Sequence, residues 1–155
     1  MRKKGFFAAV LLALAAAHGF CDELTAEQVS NEALQGLLKA EYAENARIDD
    51  DGDLRIELEG LKLFVTYEEN REFIKIYSLW GKGEYISENR LLRVLNEWNR
   101  EKIFGAVSAN GNIIQLTYFL STEGGLNGKN FNGTLEWIVS VAGQFSSYLR
   151  DEDAL

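Results

Sequence analysis

Histidine and cysteine, which carry much nucleophilic, acid–base and metal chemistry, occur once each, at His18 and Cys21. Both fall in or beside an N-terminal stretch that reads as an export leader, so a mature chain beginning after Cys21 holds neither. Such a chain cannot assemble a His-dependent triad, a Cys nucleophile pair or an ordinary zinc site. Carboxylates are plentiful, and a suitably spaced pair can hydrolyse a glycoside. Most of them sit in predicted turns or on wet strand faces, Glu57, Glu59, Glu68 and Glu69 among them. A general acid with a raised pKa needs an apolar pocket, and those positions offer none. Glu123, beside Gly124-Gly125, and Glu136, on a predicted helix, are the least ordinary acids. A carboxylate-dependent cell-wall hydrolase is thus one alternative function.

The cluster Asp49-Asp50-Asp51-Gly52-Asp53 invites comparison with a calcium loop. With Gly52 at the glycine position of an EF-hand, Arg47 falls where the first ligand belongs and Leu58 where the bidentate Glu belongs. Neither can ligate, and an Asp-Gly turn entering a strand accounts for the same residues. No metal or cofactor site is assigned. The same acidic turn could meet a basic active site, which makes an inhibitor of an exported enzyme a second alternative. Trp80 and Tyr85 flank Gly81 and Gly83, a spacing that could stack on a sugar ring. Closing the end of a sheet is the commoner use of such aromatics.

Residues 1–21 have the plan of a secretory signal peptide: Arg2, Lys3 and Lys4, an unbroken apolar run from Phe6 to Ala17, then small residues. The run is short for a membrane span, which needs about 20 apolar residues. Cleavage points follow Ala17, Gly19 or Cys21, and bulky Phe20 weakens a lipoprotein reading of Cys21. The expected product is periplasmic or extracellular, with no stable membrane insertion once the leader is removed. The leader holds three of the chain's 16 basic residues and none of its 24 acidic ones, so the remainder carries a formal charge of −11. A domain that acidic repels phosphate backbones, so nucleic acid is a poor partner. Residues 22–155 are the right length for one domain with a single core.

Several elements must position these groups. Thr25 and Gln28 have capping-box spacing, predicting a first helix from Thr25 that fades near Asn45, with Val29, Ala33 and Leu37 on one face. The period then changes to two: Leu54, Ile56 and Leu58 alternate with charged residues, Gly60 turns the chain, and Leu61, Leu63 and Val65 follow. Phe73 to Trp80 is a third strand. Ser87 caps a second helix reaching about Arg100, with Leu91, Leu92, Leu95 and Trp98 on its face and Asn96 and Asn99 near its end. Asn110-Gly111 joins strands Ile103–Ala109 and Asn112–Leu120 as a hairpin. A third helix starts between Asn127 and Asn130, with Phe131, Leu135, Ile138, Ala142, Phe145 and Leu149 on one face. A second row beside it holds Trp137, Val141 and Tyr148, wider than one sheet contact needs, and these three are the candidate partner surface. The tail Asp151-Glu152-Asp153 is expected to fray.

The order α-β-β-β-α-β-β-α resembles the YbjN family of bacterial sensory transduction regulators. The resemblance rests on DGDLRIELEGLKLFV (Asp51 to Val65), LNEWNREKIFGAV (Leu95 to Val107) and STEGGLNGKNF (Ser121 to Phe131). It implies an α+β fold like that of type III secretion chaperones, with helices packed on a twisted antiparallel five-stranded sheet. It implies no catalytic residues. The leading expectation is an exported, non-enzymatic module that binds a protein or peptide, or itself as a homodimer.

Overall fold

The computed structural model describes residues 23–49, 53–68 and 72–155. The leader with His18 and Cys21, the turn residues Asp50, Asp51 and Gly52, and residues 69–71 lie outside the described residues. Strand β1 (Glu23–Leu24) is followed by a 3-10 turn, Ala26–Gln28, and helix α1 (Asn31–Tyr42). Strands β2 (Ala46–Ile48), β3 (Leu54–Leu58), β4 (Leu61–Glu68) and β5 (Phe73–Gly81) come next, then helix α2 (Glu88–Glu101). Strands β6 (Ala106–Asn110), β7 (Ile113–Ser121) and β8 (Leu126–Asn127) lead into helix α3 (Gly128–Asp151). The main sheet is antiparallel throughout, in the order β2-β3-β4-β5-β7-β6, and β1 pairs separately with β8. The α+β class and the antiparallel sheet stand as expected.

The sheet has six strands where five are expected, because Ala46–Ile48 folds back onto β3. Three residues are too few to show a period, so the strand is invisible in the sequence. Its turn is closed by Asp49 and Asp53. The Asp49 N–H donates to the Asp53 carbonyl, and the Asp53 N–H donates to Asp49 Oδ1, both at 2.9 Å. Asp49 and Asp53 thereby hold the facing ends of β2 and β3 together.

The first helix also begins later than expected. Gln28 Oε1 does accept the Thr25 N–H at 2.9 Å, but this closes only the 3-10 turn. Val29 is buried with an extended backbone, and the Ser30 hydroxyl accepts the Ala33 N–H to cap α1. On α2 the inward residues are Leu91, Val94, Leu95 and Trp98, and Leu92 is exposed. That spacing of three, four and seven matches the helical period better than the row with Leu92.

Hairpin chemistry accounts for the registers. Glu59 and Gly60 both have positive φ, 51° and 78°, between the paired residues Leu58 and Leu61, as a I′ turn requires. At the other hairpin Asn110 pairs with Ile113, so the loop is Gly111-Asn112 rather than Asn110-Gly111. The nine-residue β5 takes the nine-residue β7 as neighbour, and short β6 is left at the edge.

All three helices lie on one sheet face. Ile56, Leu63, Val65, Ile74 and Ile76 meet α1 and the first half of α3 in one buried cluster. Val107, Ile114 and Leu116 meet α2 and the second half of α3 in another. The opposite face is open, with Phe64 stacked on Tyr77 at 5.1 Å and Phe73 edge-on to Phe119 at 5.0 Å. The tail is held instead of frayed: Ala154 is buried, its N–H donates to the Leu149 carbonyl, and its own carbonyl accepts the Gly83 N–H.

Candidate functional site

Helix α3 decides where the three candidate surface residues lie. Asn127 caps it, its side chain accepting the Asn130 N–H at 3.0 Å. The Phe131 to Leu149 face is driven into both buried clusters, which leaves the row of Trp137, Val141 and Tyr148 along the border with the segment after α2. The structure does not leave all three free. Tyr148 donates its hydroxyl to the Val94 carbonyl at 3.2 Å and packs on Trp98 at 5.3 Å. Burial, then the Glu97 carboxylate, pushes its phenol above the usual range. Val141 is half-buried against the second cluster. Of the three, Trp137 alone is exposed, at 47%.

Trp137 has a partner that its sequence neighbourhood does not suggest. Phe104, 39% exposed, lays its ring on the indole with centroids 4.0 Å apart. Beside it Ile103 is 89% exposed. The expected strand from Ile103 instead starts at Ala106, and Gly105, with φ of +78°, bends the chain between them. A Cβ on Gly105 would meet the Leu116 side chain at 2.9 Å, so the bend sits tightly on the sheet. Under the pair, Phe104, Leu116, Tyr118, Trp137 and Val141 enclose about 10 Å³, scarcely room for one water and none for a metabolite. The apolar pair Ile103-Phe104, directly after the last turn of α2, was the available signal for this corner.

The other candidates scatter. Glu123 lies exposed in the turn before β8, and Glu136 is exposed on α3, neither in an apolar pocket. The Arg55 guanidinium, hydrogen-bonded to Glu57, holds that carboxyl below the usual carboxylate range, opposite to the need of a general acid. Among the described residues no three His, Cys, Asp or Glu side chains are grouped to hold a metal ion. Asp53 turns its carboxylate toward the sheet, accepting from Tyr77 at 2.9 Å and from Thr66 at 3.4 Å. Trp80 closes the end of the sheet edge-on to Phe145, at 5.2 Å, while Tyr85 is 94% exposed. No helix among the described residues is long and apolar enough to cross a membrane.

Comparison with known proteins agrees with this architecture. No curated protein matches the chain. Among solved structures, the crystal structure of YbjN, "a putative transcription regulator from E. coli", is similar with a TM-score of 0.56. The likeness covers 74% of this chain and 84% of that one at 11% identity, which makes it a likeness of fold. The YbjN family model, described as "Putative bacterial sensory transduction regulator", matches residues 30–151. Its span runs from the cap of α1 to the last residue of α3, and the chain belongs to the YbjN family.

Proposed function

We propose that this chain is an exported, non-enzymatic regulatory module that binds an apolar peptide segment of a partner protein at the corner of Ile103, Phe104 and Trp137. The observation that carries the reading is the corner itself: Phe104 and Trp137, 39% and 47% exposed, in ring contact where α2 ends and α3 passes, with Ile103, 89% exposed, next to Phe104 in the chain. Scattered exposed apolar residues are ordinary, whereas a contiguous set is the usual mark of an interaction site. The formal charge of −8 on the whole chain, −11 without the leader, favours a segment flanked by Lys or Arg. The secretion-chaperone-like architecture that the family resemblance implies points the same way, toward a peptide partner. Export is supported by the leader pattern of residues 1–21.

Two measurements test this. In cells that make the full chain, fractionation should find it outside the cytoplasm and shortened at its N-terminus; a full-length cytoplasmic product sinks the export reading. Peptides with paired apolar residues and basic flanks should bind the wild-type domain, followed by calorimetry. Trp137→Ala and Phe104→Ala should each weaken binding about tenfold or more, with thermal stability nearly unchanged for Trp137→Ala. Equal binding by wild type and both variants removes this corner as the site.

A further inference from the structure

The two edges of the main sheet are protected differently. A free edge invites pairing with another chain, and proteins blunt it by shortness, charge, proline or a bulge. At one edge β2 is three residues long and carries Arg47, whose guanidinium pairs with Glu57 at 3.3 Å. At the other edge β6 reads Ala-Val-Ser-Ala-Asn, five residues with no charge and no proline. Its side chains are small, and an identical strand laid antiparallel against it would set no like charges opposite each other. By its own sequence β6 is an open template.

The protection comes from α2. Val107 and Leu116 form a pair whose backbone groups face away from each other, so the Val107 N–H and C=O point outward from the sheet. Asn99, in the last turn of α2, meets both: its Oδ1 accepts the Val107 N–H at 2.8 Å, and its Nδ2 donates to the Val107 carbonyl at 2.9 Å. One carboxamide thus presents the donor and acceptor that a neighbouring strand would present. Aspartate has no donor for the carbonyl and leucine has neither group. Ala109 directs its backbone groups to the same side by the alternation of the ladder, and β6 begins only at Ala106, so a pairing strand would have to pass through Val107.

The geometry points to Asn99 as a latch that closes the β6 edge against strand pairing with a second copy of this chain. Native association, where it occurs, runs through side chains and not through sheet extension. Asn99→Ala should raise self-association in sedimentation at least about tenfold over wild type. The double variant Asn99→Ala/Ala109→Pro should return it to the wild-type level, since proline on an outward-facing edge position blocks a pairing strand and spares the β6–β7 ladder. In the wild-type protein the Val107 amide should exchange with solvent deuterium about 100-fold more slowly than the outward Ala109 amide. Self-association of Asn99→Ala no greater than wild type overturns the latch, as does failure of the proline to reverse it. Should Asn99→Ala not fold, the exchange comparison decides alone: equal rates for Val107 and Ala109 overturn the proposal.

Discussion

The two buried clusters that meet along α3 are built from different side chains and end differently at the surface. The buried residues of the first, under α1, are aliphatic apart from Phe131, with Leu34, Leu38, Ile56, Leu63, Ile74 and Ile76 all fully buried and Tyr42, Tyr67 and Tyr118 packed at its rim. The second, under α2, turns on aromatic contacts, with Phe145 meeting Trp98 at 4.8 Å and Trp80 at 5.2 Å. It also keeps an indole N–H, that of Trp98, buried without a partner. The exposed pair Phe104 and Trp137 sits where the two clusters meet, over Tyr118 and Ile138 of the first and Leu116 and Val141 of the second. Branched aliphatic chains interlock and seal, whereas large flat rings pack with fewer contacts per edge and leave polar tips and rims to be dealt with.

The largest expected effect tests whether the halves are one folding unit. Phe131→Ala and Phe145→Ala should each cost about 3–5 kcal/mol in urea unfolding, since both side chains are fully buried. Leu61 touches both clusters and α3 runs through both, so each variant should unfold in a single transition with the wild-type slope. Two transitions in Phe145→Ala alone would mean that the aromatic half melts by itself.

A smaller effect is expected where β1 is tied to the first half. Gly125 has φ of +103°, and a Cβ there would stand 2.3 Å from the Leu24 carbonyl oxygen. Gly125→Ala should cost about 1–3 kcal/mol and open the β1–β8 pairing, seen as faster proteolysis ahead of Ser30. A variant as resistant as wild type would show that this pairing does not protect the N-terminal segment.

The smallest effect is a difference in alkaline sensitivity. Burial first, then the hydrogen bond to Asp53, pushes the Tyr77 phenol up to about 12, against about 10 in an unfolded chain. From about pH 10 to 12 the unfolded chain therefore binds fewer protons than the folded one, and stability falls as pH rises. Below about pH 10 the group contributes no slope. Tyr77→Phe, on the open sheet face, should flatten part of this alkaline decline; Tyr148→Phe, beside the aromatic cluster, should flatten it less. The reverse order would place the stronger phenol environment in the aromatic half.

Much of this protein is legible in its sequence because much of its local structure is local in cause. Alternation over Leu54 to Val65, the Ser87 cap, and the glycines at 60, 111, 124 and 125 each act within a few residues, and the structure uses them. The Thr25 capping box shows the limit: its hydrogen bond forms, yet burial of Val29 breaks the helix beyond it. Of the candidate surface, the sequence exposed a row on α3 wider than one contact needs. It could not divide that row, because Tyr148 is spoken for by Val94 and Trp98 on another helix, and Trp137 by Phe104 on a loop.

By itself the sequence determined the α+β class, the three helices, the longer strands and the Gly60 turn, the acidic charge and the absence of His and Cys after Cys21, since these depend on residue type and short-range spacing. The tertiary structure alone decided the sixth strand, the anchoring of Ala154, the collection of Ile103 and Phe104 beside Trp137, and the clamp of Asn99 on Val107. Each of these is a meeting of residues that period and propensity do not link. Partners brought together by packing leave no period to read.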